Sequence, residues 1–351
     1  MLASITHIIP LTTIRRERFL PVAGRLLVRT GQKVSTTDVV GEAKVNSEHL
    51  LLDLVRGLGV PAGKADNFLQ CKAGDRVLQD DVLAGPVGLT KRVLRAPGNA
   101  RVIVAGEGQV LLELESPPME LKAGLPGTVI DLLADRGVVI ETTGALIQGV
   151  WGNGEIDYGL MIVLARSPDD ELTVDRLDVS LRGSIVMGGY CQDVEVLKTA
   201  TSLPLRGLIL ASMDPSLMPI ASKIKIPVIL IEGFGNLPMN SAAYKLLSTN
   251  DQREVSLNAE QWDRFTGVRP EIIIPLPAPG EPPLPPDADR FSVGQQVRVV
   301  RAPHKSEIGT IIEIRVGMIP LPSGLMAPSA EIRLESGENA LLPLANLEVL
   351  E

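Results

Sequence analysis

The chain has 351 residues, 45% of them apolar and only 3% aromatic, with a formal net charge of −8. This length implies two to four domains with cores of Val, Ile, Leu and Ala. The acidic balance disfavours a chain whose main work is gripping phosphate backbones and leaves room only for a local basic patch. Two distant cysteines, Cys71 and Cys191, suggest no disulfide framework and fit free thiols in a reducing cytoplasm.

Residues 1–19 read as an N-terminal segment. Its apolar run is short and is followed, not preceded, by Arg15, Arg16 and Arg18, the reverse of a secretory signal. No stretch reaches the ~18 uninterrupted apolar residues that a membrane span needs. The expectation is a cytoplasmic chain with no membrane span.

Residues 20–182 read as β-rich. Short apolar runs at 25–29, 101–105, 110–114, 125–130 and 137–141 lie between Gly, Pro and charged turns. One helix is expected over 47–58, where Leu50, Leu51, Leu54, Val55 and Leu58 fall at helical spacing. Ser47 would be its N-cap and Gly59 its stop. A half-motif, G-x-x-V-x-x-x-D-V, occurs twice, at Gly31, Val34, Asp38 and Val39 and again at Gly74, Val77, Asp81 and Val82. In each copy a Gly opens a tight turn and a Val points inward before a second turn leads into a buried strand.

These two copies, followed by Arg95 to Val102, resemble the barrel-sandwich hybrid of biotinyl and lipoyl domains over roughly residues 20–115. Such carriers hold a cofactor on a hairpin lysine. The nearest candidates, Lys44 and Lys91, match neither its spacing nor its neighbours, so the resemblance implies a rigid β-module and no cofactor. A Gly-rich extension, Gly144 to Gly159, lacks the Gly-Lys-(Ser/Thr) of a phosphate loop. It reads as a tight hairpin with Trp151 either packed or presented to a partner.

Residues 183–266 change pattern. Strands near 184–187, 207–211, 227–231 and 254–257 alternate with helices over 193–201, 215–223 and 239–248. Continuous apolar strands of this kind imply a parallel sheet covered on both faces. Ligands bind such sheets beyond the carboxyl ends of the strands. The candidate ligand-binding residues are therefore Gly188, Gly189, Ser212, Asp214, Glu232, Gly233 and Gly235. The layout resembles the swivelling phosphohistidine domain of phosphoenolpyruvate-utilising enzymes. Gln192 and Asp193 stand where its Ser and His would, so phosphotransfer is not implied.

Residues 267–288 are dense in proline and read as a semi-rigid linker. Residues 289–351 then read as a small SH3-like barrel. The stretch from Val293 to Arg315 resembles the KOW motif of ribosomal proteins and transcription elongation factors. Arg298, Arg301, His304, Lys305 and Arg315 are its candidate patch for RNA or protein docking, set against many glutamates. His7, His49 and His304 are scattered, and no metal site is expected.

The fold class expected is thus multidomain α/β plus all-β: a barrel-sandwich-like module, a parallel-sheet domain and an SH3-like barrel. With no catalytic constellation in sight, the functional expectation is a non-catalytic interaction or scaffold protein that docks a protein partner. The alternatives are an RNA-binding factor acting through 289–351 and a small-molecule-binding or enzymatic α/β domain. Homo-oligomerisation stays open, because β-rich chains present edges that a copy can cover.

Overall fold

A computed structural model describes residues 2–45, 48–88, 91–115, 117–263, 266–286, 289–321 and 323–350. The fold is strand-rich, with several sheets and short helices. It divides into two units. Residues 1–18, 28–40 and 122–351 make the larger, and residues 19–27 and 41–121 the smaller.

The larger unit is built on a twelve-stranded sheet. At its centre Ile156–Val163, Ser184–Met187, Gly207–Met213 and Val228–Phe234 run parallel. Side chains alternate across these strands. Ile185, Met187, Ile209, Ala211, Ile229 and Ile231 pack with Ala243 and Leu247 of the Ser241–Ser248 helix. Val186, Leu208, Leu210, Val228 and Leu230 pack on the other face with Val196, Leu197 and Ala200 of the Val194–Ser202 helix. Helices thus cover both faces, and the strands are mainly apolar, with Ser212 and Glu232 as buried polar exceptions near the carboxyl ends.

The sheet does not stop where the composition changes. Glu254–Asn258, Glu271–Pro275, Gly137–Gln148, Gly127–Leu133 and Lys33–Val34 extend it through antiparallel pairing. It therefore runs across residues 182 and 266, where the sequence suggests boundaries. Glu271–Pro275 lies inside the proline-rich stretch read as a linker, yet Glu271 to Ile274 are buried and pair on both sides. The physical reason is local: residues 271–274 contain no proline, so every N–H needed for pairing is present.

A second, seven-stranded sheet contains Leu2–Thr6, Gln296–Val299, Ile308–Ile314, Ser329–Leu334, Asn339–Pro343 and Leu347–Leu350. Leu2–Thr6 runs parallel to Leu347–Leu350. The first residues are thus an element of the C-terminal sheet and not a separate segment. Ile308 and Leu350 also enter the core against the Ser241–Ser248 helix, so residues 289–350 are packed onto the parallel strands and do not hang from a tether.

Buried charge joins the two sheets. Arg298 donates to Glu232 at 3.1 Å, to the Ile231 carbonyl at 3.2 Å and to Glu348 at 2.6 Å. Glu348 also accepts from Arg269 at 2.7 Å, and Arg269 donates to Thr6 Oγ1. Burial pushes the Glu348 carboxyl up, but Arg298 and Arg269 outweigh it and hold the group at about 2. Burial likewise lowers the Arg298 guanidinium, and Glu232 and Glu348 more than offset it, so its pKa is raised.

The two copies of the half-motif form the same structure, one in each unit. Gly31 (φ 82°) and Gly74 (φ 96°) make the turns. Their N–H groups donate to the Val129 and Val102 carbonyls. Val34 and Val77 are buried in two-residue strands. Asp38 and Asp81 then cap the second turn by accepting from the N–H of Ser35 at 2.8 Å and of Leu78 at 2.7 Å.

The smaller unit carries a four-stranded sheet in the order Glu48–Asp53, Gln109–Leu114, Ala100–Gly106 and Arg76–Val77. The helix expected over 47–58 is here a strand followed by one turn of helix, Leu54–Leu58. Pairing of Leu50, Leu51 and Leu52 with Gln109–Leu114 overrides their helical spacing. Asp53 caps the short helix at Arg56 N–H, and Gly59 ends it at φ 68°. Ser47, the expected cap, lies outside the described residues.

Two outcomes follow from the buried charges. Arg298→Ala leaves Glu232 and Glu348 buried without their common cation and lowers stability by about 3–5 kcal/mol, read as a lower urea midpoint. Because folding depresses the Glu348 pKa from 4.5 to about 2, its stabilisation is complete above 4.5 and is lost as pH falls toward 2. Urea melts across that window lose stability in the native chain, and Glu348→Gln removes that part of the slope.

Candidate functional site

The carboxyl ends of the parallel strands are the natural place for a ligand, and the chain itself closes most of that crevice. Residues 164–172 fold over the first strand end. The N–H groups of Leu164 and Ala165 donate to the Met187 carbonyl, Tyr190 N–H to Asp170 and Leu172 N–H to Tyr190. Arg176 holds this segment by donating to Asp170 at 2.8 Å and to the Glu171 carbonyl at 3.1 Å. Burial pushes the Asp170 carboxyl up, while Arg166 N–H and Arg176 bring it below the usual carboxylate range.

Each sequence-derived ligand residue has an internal duty at this end. A Cβ on Gly189 would stand 1.8 Å from the Asp170 carbonyl oxygen, and one on Gly188 would stand 2.8 Å from Leu172. Gly189 therefore admits the chain's own backbone, and Gly188 admits the Leu172 side chain. Ser212 is fully buried, donates to the Leu237 carbonyl at 2.7 Å and accepts from Leu237 N–H. Asp214 caps the following turn by accepting from Ser216 N–H and Oγ, which lower its pKa. Glu232 accepts from Asn240 N–H, from Asn240 Nδ2 and from Arg298. Gly233 (φ 98°) sits at a shift in register beside Ser212, and Gly235 (φ 110°) turns the chain away, its N–H on the Met213 carbonyl.

The candidate surface residues divide in the same way. Trp151 pairs opposite Leu230 at the sheet edge and meets Phe234 edge-on at 5.6 Å, so it is packed. Arg298 is corrected outright. It is 3% exposed and belongs to the buried network, because its position in Gln296–Val299 faces Glu232 and Glu348. His304 contacts Glu307 at 3.0 Å, and Arg315 pairs with Glu313 and Glu331. Arg301 and Lys305 are exposed.

What stays open at the strand ends is a cleft of about 340 Å³ with a mostly apolar wall, lined by Pro168, Pro238, Asn240, Ser241, Lys305, Glu335 and neighbours. Here the structure brings together two regions that the sequence reading kept apart, the crevice after Glu232 and the loop 301–308. Ser241 Oγ donates to Glu335 at 2.8 Å across it. Asn240 was missed, although an Asn before a helical run is a recognisable cap; its side chain accepts from Ala243 N–H. The cleft offers one ammonium, carboxylates and hydroxyls to a small polar group.

Among the described residues no cluster of three or more His, Cys, Asp or Glu side chains is placed to hold a metal, and no helix is long and apolar enough to cross a membrane. Both cysteines are buried and free. Burial pushes the Cys191 thiol up to about 12, far from a reactive thiolate. No family model matches the chain, and no curated protein matches it.

Gly189→Ala tests the structural duty of that glycine. The methyl group meets backbone, so the segment 164–172 must shift, with a loss of about 1–3 kcal/mol and faster protease cleavage within 164–172.

Proposed function

We propose that this chain is a non-catalytic interaction protein that docks a protein partner through its β-modules. The observation that carries the reading is an apolar hairpin on the C-terminal sheet. Between Ile308–Ile314 and Ser329–Leu334 the chain forms a two-stranded projection, Ile319–Pro320 with Met326–Ala327. Val316 is 95% exposed, Leu325 68%, and Met318 and Met326 more than half. Apolar side chains gathered on a surface mark an interaction site more often than they mark a solvated loop. Methionines suit such a surface because they repack around varied partners.

In the same reading the smaller unit is a barrel-sandwich-like module used as a rigid platform, and the seven-stranded sheet is an SH3-like barrel. Support comes from the half-motif copy at Gly74 to Leu83, which lies in the smaller unit, in the first case and from the KOW-like stretch in the second. The crevice residues and Arg298 act within the fold, which weakens the readings that needed them free.

RNA binding through the loop 301–305 is the second reading, favoured by the exposure of Arg301 and Lys305. One experiment separates the two. Tagged full-length chain is used for capture from native lysate with and without nuclease, beside Val316→Ser/Met318→Ser/Leu325→Ser and Arg301→Ala/Lys305→Ala variants. The docking reading expects a defined protein set that survives nuclease and is lost with the hairpin variant. It is overturned by a set that persists with that variant. Capture that vanishes with nuclease and with the basic-loop variant establishes RNA instead, with a binding constant that falls as salt rises.

A further inference from the structure

The four-stranded sheet of the smaller unit ends on Glu48–Asp53, which pairs on one side with Gln109–Leu114. Among the described residues no strand pairs with its other side. Sheet edges in folded proteins are guarded by charged side chains, Lys above all, by Pro or by a bulge; this one, Glu-His-Leu-Leu-Leu-Asp, carries charge only at its two ends and has no Lys, Pro or bulge. Leu51 is 57% exposed, and the outer face beside it is apolar. Leu51 stands opposite Leu111, and Leu111 opposite Val104, itself 50% exposed. A polar row flanks this one, with His49 opposite Glu113 and Glu113 opposite Arg101.

The register shows which backbone groups face outward. Leu54 N–H donates to the Gly108 carbonyl at 2.8 Å, one step beyond the opposed pair Asp53 and Gln109. Backbone groups along an antiparallel strand point alternately to either side. Leu50 and Leu52 therefore direct theirs at Gln109–Leu114. His49, Leu51 and Asp53 direct theirs at the open edge.

We propose that this edge is closed by the same strand of a second copy, antiparallel about a two-fold axis through Leu51. Outward-facing residues must meet outward-facing residues, which excludes the register that sets Glu48 against Asp53. Axes through Leu50 or Leu52 obey parity but set Leu51 against His49 or against Asp53. The axis through Leu51 sets Leu51 against its own copy and His49 against Asp53 at both ends. Asp53 caps Arg56 N–H with one oxygen, and its other oxygen accepts an imidazole N–H. The apolar row then runs unbroken from Val104 through both Leu51 side chains to Val104 of the second copy. This occupant is a copy of the chain, independent of the partner at the hairpin.

The test is analytical ultracentrifugation of the full chain over a concentration series, with folding of each variant checked by circular dichroism. A reversible doubling of mass is expected. His49→Asp, which sets carboxylates against each other, is expected to weaken association at least tenfold, and His49→Arg to preserve it. Both change an exposed side chain. Leu51→Cys provides the geometric readout, because a pair of this kind has Cα atoms about 5.5 Å apart, within disulfide reach. Mild oxidation is expected to give a covalent dimer, with Cys71 and Cys191 buried and out of competition. A monomer at every concentration overturns the proposal. So does a dimer indifferent to His49→Asp, or one that Leu51→Cys fails to cross-link.

Discussion

Arg298 is the residue on which the larger unit's arrangement turns. A guanidinium out of water is tolerable when carboxylates surround it, and here they come from two sheets, Glu232 from the parallel strands and Glu348 from the C-terminal sheet. Arg269 adds a second cation to Glu348 and reaches Thr6. The same few atoms thus locate strands from the beginning, middle and end of the chain. Apolar packing around Ile308 and Leu350 fills the space beside them, but it is not directional. The ion pairs supply the direction.

That arrangement reshapes the functional question. An open parallel sheet invites a ligand at its carboxyl end, yet this end is occupied by residues 164–172, by the loop through Leu237 and by Arg298. Gly189 there serves the close passage of one backbone past another. Among the described residues, the surface features open to the outside include the cleft beside Asn240 and Lys305, the apolar hairpin after Ile314, the loop 301–305 and the edge of the smaller unit's sheet.

Much of the fold was legible because the deciding forces were local. The strands and helices from 184 to 258 were readable from continuous apolar runs alternating with helical segments. The repeated half-motif was readable because Gly31 and Asp38, with Gly74 and Asp81, shape their turns through near neighbours. The rest depended on distant partners. Leu50, Leu51 and Leu52 are spaced for a helix and become a strand through Gln109–Leu114. Glu271–Pro275 hides among prolines as a central strand. Arg298 looks like any surface arginine until Glu232 and Glu348, 66 and 50 positions away, are seen to converge on it. Gly188 and Gly189 marked the right place in the sheet, but glycine alone does not say whether a ligand or the chain itself comes close.

The parallel pairing of Leu2–Thr6 with Leu347–Leu350 bears on how the molecule is made. During synthesis the first strand leaves the ribosome long before the strand it pairs with exists, and contacts of such separation form slowly. The smaller unit, continuous from 41 to 121 apart from one short strand, has its partners at hand much earlier. Birth order is thus built into the topology: the smaller unit can mature while Leu2–Thr6 still waits for Leu347–Leu350.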